Sequence, residues 1–215
     1  AFTEWGRLLL QMSGKSPETP KFDFTISHLG YNTDNGAYYY YQTEANKTYL
    51  DTLLDVYDYS RQLGIPYRHA LLDSWWYYKG WSDGVKNWTA MESIFPGGNE
   101  GIRNLFDQTG WPFIAHNRWW SNDTTYAKQS GGKWDFYVET QSTKYTNEAM
   151  ALPLDQDFWN YLFSTSRQWG LYTYEQDWLY NEFLGLNLTM EHVDVAETWL
   201  TQMGNAAENN GIFIQ

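Results

Sequence analysis

Apolar residues follow two different spacings along this chain. Between residues 48 and 63 they recur at the i, i+3, i+4, i+7 spacing of an amphipathic helix, and that pattern ends at Gly64. A mostly apolar strand, residues 66–73, follows at once. The same succession of helix, glycine and apolar strand occurs four times, with glycines at Gly64, Gly110, Gly170 and Gly211. The pattern therefore predicts repeated α/β units without repeating the sequence itself.

Six strands are predicted in all, around Phe22, Tyr67, Phe113, Phe136, Thr173 and Phe213. Strands that alternate with helices favour a parallel sheet covered on both faces. No G-x-G-x-x-G or P-loop follows a strand, so a (β/α)8 TIM-barrel-like fold is favoured over a nucleotide-binding sheet. A full barrel has eight strands. We therefore expect a single domain, 1–215, that is an incomplete barrel and a piece of a longer chain, or else has a different architecture.

An incomplete barrel leaves an open sheet edge, and bare backbone groups there favour pairing with other chains. We therefore expect a second chain, self-association or a covering segment at that edge.

Composition narrows the range of partners. Aromatic residues make up 20% of the chain, including 13 Trp and 18 Tyr, which suits either sugar binding or a tryptophan-rich core. A net charge of −12 argues against nucleic acid as a partner, and no apolar run is long enough to span a membrane. Carbohydrate or an apolar small molecule fits better. We expect no cofactor and no metal, because no histidine spacing suits zinc and the loop around Asp34 lacks the acid that closes a calcium site.

Four Asn-X-Thr sequons are present, at Asn46, Asn87, Asn122 and Asn187. Each is a candidate N-glycosylation site in a protein that enters the secretory pathway. The chain has no cysteine, which excludes disulfides but does not fix a compartment. The sequons favour a secreted or extracellular glycoprotein.

Two carboxylates stand near the end of the strand predicted in residues 171–179. Alternation along a strand places Thr173, Glu175 and Asp177 on one face. Ionised carboxylates are rarely buried without partners. These two acids are therefore either a substrate-facing strand end or members of a structural salt bridge or cap.

If the predicted strands are parallel neighbours, their carboxyl ends bring together Asp34, Asp73, Trp75, Trp76, His116, Asn117, Arg118, Glu139, Glu175, Asp177 and Trp178. Acids beside aromatic rings are the materials of a glycosidase site, with carboxylates as nucleophile and proton donor. His116 is read as a site residue or a structural one. Arg118 is read as the partner of a core acid or as a clamp on substrate.

Geometry limits the roles of the two acids on one strand. Glu175 and Asp177 lie about 7 Å apart at Cα and approach a sugar from the same side. A retaining glycosidase needs its two carboxyl groups on opposite sides of the anomeric carbon, about 5 to 5.5 Å apart. The second acid must therefore be Asp73 or Glu139, or lie beyond Gln215.

Three motifs in order carry a resemblance to a known family: LGYNTDNGAYYYY after the first strand, LLDSWW after the second, and YEQDWL on a later one. Over about residues 22–180 the chain resembles the first part of the barrel of the alpha-galactosidase and raffinose-synthase group and its alpha-glucosidase relatives. The resemblance implies that Asp177 is the nucleophile, that Asp73 binds sugar hydroxyls, and that Trp75 or Trp76 forms a stacking wall.

The chain also departs from the family pattern. Asn32 stands where the group has a tryptophan, and Leu72-Asp73 replaces a double aspartate. Glu175 replaces a lysine two residues before the nucleophile. The acid/base aspartate of the group follows a sixth strand that this chain does not reach.

Three hypotheses follow for function. The first is a retaining glycoside hydrolase-like barrel with Asp177 as the nucleophile. The second is a non-catalytic binder, on a degenerate glycosidase barrel, of a glycan or of an apolar ligand such as a pigment or lipid. The third is an aromatic-rich assembly protein, which ranks last because the polar residues concentrate at strand ends.

Overall fold

The structure is a computed structural model that describes residues 1–16, 23–34, 37–39 and 41–215. Its helices are α1 (Phe2–Met12), α2 (Phe24–Ser27), α3 (Tyr49–Gln62), α4 (Asn99–Thr109), α5 (Gln156–Arg167), α6 (Leu179–Leu184), α7 (Asn187–Glu191) and α8 (Val193–Asn210). Its strands are β1 (Gly30–Asn32), β2 (His69–Leu72), β3 (Tyr77–Lys79), β4 (Val85–Ala90), β5 (Phe113–Asn117), β6 (Trp120–Ser121), β7 (Phe136–Val138), β8 (Met150–Pro153), β9 (Leu171–Gln176) and β10 (Phe213–Ile214). No helix among these residues is both long and apolar enough to cross a membrane.

Five strands form a parallel sheet in the order β1-β2-β5-β9-β10. Strands β2, β5, β9 and β10 each follow a helix, namely α3, α4, α5 and α8. The sheet does not close on itself within the described residues, and β1 and β10 are its edges. The predicted α/β class and incomplete barrel are therefore confirmed.

The glycines between helix and strand have the conformation that the repeat predicts. Gly64, Gly110, Gly170 and Gly211 all have positive φ, between 61° and 103°. Gly110 and Gly211 are left-handed C-caps of α4 and α8, where a residue with a Cβ would be strained. These turns end each helix and reverse the chain into the next strand.

Polar side chains begin two of the helices that cover this sheet. Thr48 and Asp51 form a reciprocal capping box at the start of α3. Asp155 caps α5 as predicted, since its side chain accepts a hydrogen bond from the Asp157 amide at 2.9 Å.

A second sheet, in the order β3-β4-β6-β8-β7, is built from the segments that follow β2 and β5. Only β4 and β6 pair in parallel, and the other neighbours are antiparallel. The predicted strand at 134–139 exists as β7, but it belongs to this sheet and not to the parallel one. The short alternating pattern correctly predicted a strand there, but it did not predict to which sheet the strand belongs.

The first predicted strand is wrong in position. Phe22 lies outside the described residues, and 24–27 forms the short helix α2 in place of a strand. Asp23 caps that helix by accepting hydrogen bonds from the amide and hydroxyl of Thr25, at 2.8 and 2.7 Å. The strand begins instead at Gly30, where an added Cβ would lie 2.1 Å from His69 Nε2 on the neighbouring strand.

Most of the aromatic excess is core. Ten of the 13 tryptophans are buried, and the exposed ones are Trp5, Trp81 and Trp178. Trp88 packs at 5.0 Å from Trp76 and 5.3 Å from Tyr174, which joins the second sheet to the parallel one. Of the three exposed tryptophans, only Trp178 lies at the carboxyl end of a parallel strand.

Candidate functional site

Acidic side chains converge at the carboxyl edge of the parallel sheet. Asp34 follows β1, Asp73 follows β2, and Glu175 and Asp177 lie at the end of β9. Asp73, Asp177 and Asp34 are all close enough to repel the ionised form of Glu175. The structure therefore brings these four predicted residues together, as expected for parallel strands.

Asp177 is held at the start of the loop after β9. Its amide donates to the carbonyl of Asn117 on β5, at 2.9 Å, and its Oδ1 accepts from the Trp178 amide at 2.7 Å. Oδ2 lies 3.3 Å from Nε2 of His116. The side chain remains 54% exposed, so the carboxylate is fixed in place and open to a ligand.

His116 is buried behind Asp177 and joins it to Tyr77. The Tyr77 hydroxyl lies 3.0 Å from His116 Nδ1, so it donates to that nitrogen when Nε2–H donates to Asp177. Burial lowers the pKa of His116, and Arg118 adds to the effect, while Asp73 and Asp177 oppose it. The ring is therefore a neutral hydrogen-bond donor that orients the carboxylate of Asp177.

Glu175 is the carboxyl group with the most perturbed ionisation at this edge. Burial raises its pKa from 4.5 to about 7, and repulsion from Asp73, Asp177 and Asp34 acts in the same direction. Its Oε2 is buried and has no hydrogen-bond partner among the described residues. Glu175 therefore carries its proton over much of the range up to neutral pH.

Asp73 and Asp34 are held by local hydrogen bonds at the ends of β2 and β1. The Asp73 amide donates to Thr33 Oγ1 at 3.1 Å, and its Oδ1 accepts from the Ser74 amide. Asp34 accepts from the Tyr39 hydroxyl at 3.1 Å. Both carboxylates are only partly buried, as binding of sugar hydroxyls requires.

Cationic and aromatic groups line the other side of Asp177. The guanidinium of Arg118 lies 5.2 Å from the ring centre of Trp119 and 5.8 Å from that of Trp178. Trp178 has a φ of 61°, in the left-handed region, and its ring is 43% exposed. An exposed ring beside a carboxylate suits a sugar, which offers both hydroxyls and an apolar face.

The prediction that Trp75 or Trp76 forms a stacking wall for a sugar is wrong. Trp75 and Trp76 are 2% and 0% exposed, so neither presents a face to a ligand. Trp75 stacks on Phe95 with ring centres 5.9 Å apart, and Trp76 packs edge-on against Trp88 at 5.0 Å. Trp76 turns inward because the chain after Asp73 continues into the second sheet, where it meets Trp88 of β4, and Trp75 turns inward against Tyr49 of α3, with ring centres 4.0 Å apart.

Glu139 is not at the carboxyl edge of the parallel sheet. It follows β7, and its Oε2 accepts from the amide and Nδ2 of Asn187, at 3.0 and 3.1 Å, and from the Tyr137 hydroxyl at 3.1 Å. The expectation that Glu139 is a second acid at this edge is wrong, because β7 is not a parallel neighbour of β9 and the carboxylate holds the start of α7.

The sequon residues lie in different surroundings. Asn46 and Asn187 are exposed, and Asn87 and Asn122 are partly buried. Asn187 Nδ2, the atom to which a glycan would be attached, donates a hydrogen bond to Glu139. Glycosylation at these four residues stays a prediction. No group of three or more His, Cys, Asp or Glu side chains in the described ranges has an arrangement that would hold a metal ion.

Three residues around Asp177 escaped the sequence analysis. Tyr77 completes the contact with His116, and Gln176 and Glu182 lie behind the Asp177 loop. Tyr77 was hidden inside an aromatic run with no strand assigned. Glu182 reads as an ordinary solvated helix residue, yet it is fully buried. The only signal for Glu182 in the sequence was its position five residues after the predicted nucleophile.

Comparison with solved structures finds this fold in glycosidases. The TM-score to an alpha-galactosidase from Lactobacillus brevis is 0.54 at 14% identity, over 87% of this chain and 26% of that one. An alpha-N-acetylgalactosaminidase from Bifidobacterium bifidum gives 0.50 at 16% identity, over 87% and 32%. A candidate alpha-N-acetylgalactosaminidase from Bacillus halodurans gives 0.55 at 12% identity, over 87% and 47%.

The chain thus spans less than half the length of these solved chains. At such identities the similarity establishes the fold alone, and the predicted resemblance to this barrel is confirmed at that level. Searches of protein-family models and of curated protein sequences find no match.

Proposed function

We propose that this chain is the nucleophile-bearing part of a retaining glycoside hydrolase barrel, with Asp177 attacking the anomeric carbon. One observation carries the proposal. At the end of the fourth parallel strand of a glycosidase-like sheet, an exposed carboxylate is held by the Trp178 amide and by His116 Nε2, 2.7 and 3.3 Å away. The neighbours named above suggest a terminal α-galactosyl or α-N-acetylgalactosaminyl group as the substrate.

In the first step an oxygen of Asp177 forms a bond to the anomeric carbon while the glycosidic carbon–oxygen bond breaks. His116 keeps its proton on Nε2, which donates to the second oxygen of the Asp177 carboxylate. Its pKa is lowered, so the ring stays neutral, and the step requires no proton transfer from it. The leaving oxygen takes a proton from an acid, and water later releases the sugar. Asp73 and Arg118 are suited to bind sugar hydroxyls, and Trp178 to stack on the ring.

The proton donor is proposed to lie outside the described residues of this edge. Glu175 has a suitable pKa of about 7, but it shares a strand and a face with Asp177 and approaches the sugar from the same side. We propose that the donor comes from further strands of the barrel, in the same polypeptide or in a second chain paired along β10. That edge has its other side open, with Phe213 and Ile214 exposed.

The test compares hydrolysis of an aryl α-galactoside by the wild type, Asp177→Asn and Glu139→Gln. Asp177→Asn is expected to lower turnover by at least about a thousandfold with the fold retained. Glu139→Gln is the matched control, since it removes a carboxylate outside the site, and its turnover is expected to stay within about twofold. Equal turnover in the wild type and Asp177→Asn would exclude the nucleophile.

A second candidate is a non-catalytic binder of a glycan, a pigment or a lipid. The observation that favours it is Glu175, which places a carboxyl group with a pKa raised to about 7 where the resembling family has a lysine. Binding of a saccharide by both the wild type and Asp177→Asn, without hydrolysis by either, would support the glycan binder. A visible absorption band in the purified protein would support a bound pigment.

Secretion and glycosylation are proposed from the sequons alone. Exposed Asn46 is the position where a glycan meets least resistance. Intact mass before and after an N-glycosidase on protein from a eukaryotic host tests this. An unchanged mass would contradict it.

A further inference from the structure

A fully buried carboxyl group lies directly behind the loop that carries Asp177. Glu182 is 0% exposed, although it is in the short helix α6 that follows this loop. A carboxyl group is rarely buried so completely unless it has a specific partner. Burial raises the pKa of Glu182 well above its ordinary value, so the group is neutral.

One partner of Glu182 is the main chain of Trp120, and another is the side-chain amide of Gln176, the residue immediately before Asp177. Gln176 Nε2 donates to Glu182 Oε2 at 3.2 Å and to the carbonyl oxygen of Asp177 at 3.2 Å. The other end of the same amide, Oε1, accepts from the Tyr174 hydroxyl at 2.7 Å. One amide thus joins the buried carboxyl to the main chain of Asp177.

The Asp177–Trp178 turn is held on three sides. The Asp177 amide donates to the Asn117 carbonyl at 2.9 Å, the Asp177 carbonyl accepts from Gln176, and the Trp178 carbonyl accepts from the Glu182 amide at 3.0 Å. This turn contains the left-handed Trp178, a conformation that an L-residue keeps only when its surroundings fix it. Glu182 contributes to two of these three restraints, one through its amide and one through its side chain.

We infer that Glu182 is a positioning residue for Asp177, acting through the side-chain amide of Gln176. The expected effect of Glu182 on the reaction of Asp177 rests on the proposed function. Its expected effect on the Asp177–Trp178 turn does not. The carboxyl oxygen of Glu182 holds the Gln176 amide in the orientation that binds the Asp177 carbonyl. Without that oxygen the amide loses one of its two acceptors and is held only by Tyr174 and by the Asp177 carbonyl, so its orientation at the turn is less restrained.

Two substitutions separate the hydrogen bond from the volume of the side chain. Glu182→Gln keeps the shape and an acceptor oxygen for Gln176, whereas Glu182→Leu keeps an approximate volume and removes the acceptor. Thr173→Val is the matched control. Thr173 is buried on β9, the strand that carries Gln176, and its hydroxyl has no partner among the described residues. If Glu182→Leu does not fold, Gln176→Met removes the same bridge and takes its place.

The first readout is hydrogen exchange of the amides of 177–182, measured by mass spectrometry at equal global stability. Glu182→Leu is expected to exchange at least about fivefold faster there than the wild type. In the wild type, opening of the turn must break the hydrogen bond between Gln176 and Glu182, and in the variant this cost is absent. Glu182→Gln and Thr173→Val are expected to match the wild type. Equal protection of this segment in Glu182→Leu and the wild type would overturn the inference, whatever the protein's activity.

The second readout is the rate of covalent trapping by an activated galactosyl fluoride, which needs little help from a proton donor. Glu182→Leu is expected to lower the maximal trapping rate about tenfold to a hundredfold with little change in the half-saturating concentration, since misplacing a nucleophile costs rate and not binding. Glu182→Gln is expected to keep the wild-type maximal trapping rate. A wild-type rate in Glu182→Leu would overturn the positioning role. If the wild type itself is never trapped, the proposed function fails, and hydrogen exchange still decides the role of Glu182 in the turn.

Discussion

Replacing Glu175 by glutamine tests whether the carboxyl edge of the sheet is as crowded with negative charge as the structure describes. The substitution keeps the shape of the side chain and removes its ionisation. In the folded protein the pKa of Glu175 is raised to about 7, and the ordinary value is 4.5. The folded state therefore holds this proton more tightly than the unfolded chain does.

The sign and size of the effect follow from linkage. The favourable contribution of protonated Glu175 is fully present below pH 4.5 and is lost as the pH rises through about 7. The full shift corresponds to an upper limit of about 3.4 kcal/mol. Glu175 is partly exposed, and solvent screening reduces the expected effect to about 2 kcal/mol.

The assay is urea unfolding of the wild type and Glu175→Gln at about pH 4 and about pH 8. The variant is expected to gain about 2 kcal/mol relative to the wild type between the two conditions, because only the wild type must acquire a charge at a partly buried position that Asp73, Asp177 and Asp34 also repel. In an Asp73→Asn background the gain is expected to shrink, since one repelling charge is gone. A difference between variant and wild type that is the same at both pH values would refute the reasoning.

Three further substitutions test Trp178, His116 and the hydrogen bonds around Glu139. Trp178→Ala is expected to weaken saccharide affinity about fivefold in titration calorimetry, because Trp178 is 43% exposed and its ring is held edge-on against Trp119 and beside the Arg118 guanidinium; unchanged affinity would remove it from the site. His116→Leu is expected to destabilise the protein by about 1–3 kcal/mol in urea unfolding, since the buried Tyr77 hydroxyl loses the His116 ring and keeps only Arg118 as a partner, and adding Tyr77→Phe is expected to recover part of this loss; equal stabilities of the single and double variants would contradict the hydrogen bond. Glu139→Ala is expected to cost about 1–3 kcal/mol of stability by thermal melting, because three donors lose their acceptor; a wild-type melting temperature would show that this cluster is not structural.

The sequence predicted the parallel sheet well because local signals determine it. Helices stopped by glycine and followed by apolar strands recur at Gly64, Gly110, Gly170 and Gly211, and each of these glycines has the positive φ that its place demands. The first strand was misplaced because Asp23 caps a helical turn in a segment that alternates like a strand. A local cap overrode the periodicity there.

The second sheet was missed because its strands are short and carry turn-forming residues. Strand β4 contains Lys86 and Asn87 between buried Val85 and Trp88, so its apolar pattern is incomplete. Its existence depends on packing between distant segments, and a single sequence does not display that packing. The same limit explains Trp75 and Trp76, which look like a sugar-binding wall in the sequence but are covered by α3 and the second sheet in the fold.

The site was predictable where strand order alone decides it. Asp34, Asp73, Glu175 and Asp177 meet because each lies at or just after the carboxyl end of a parallel strand. Glu139 failed the same reasoning because its strand pairs with β8. Glu182 was beyond reach, because only the folded structure reveals that a glutamate on α6 is buried against Gln176.

The most direct test of the central claim is to identify the residue that an activated galactosyl fluoride esterifies. The protein is incubated with the reagent, digested, and the labelled peptide is sequenced by tandem mass spectrometry, with Asp177→Asn run in parallel. The account predicts one sugar bound through Asp177 in the wild type and none in Asp177→Asn. A label on another carboxylate, or the absence of any label under conditions that trap a known retaining α-galactosidase, would contradict it.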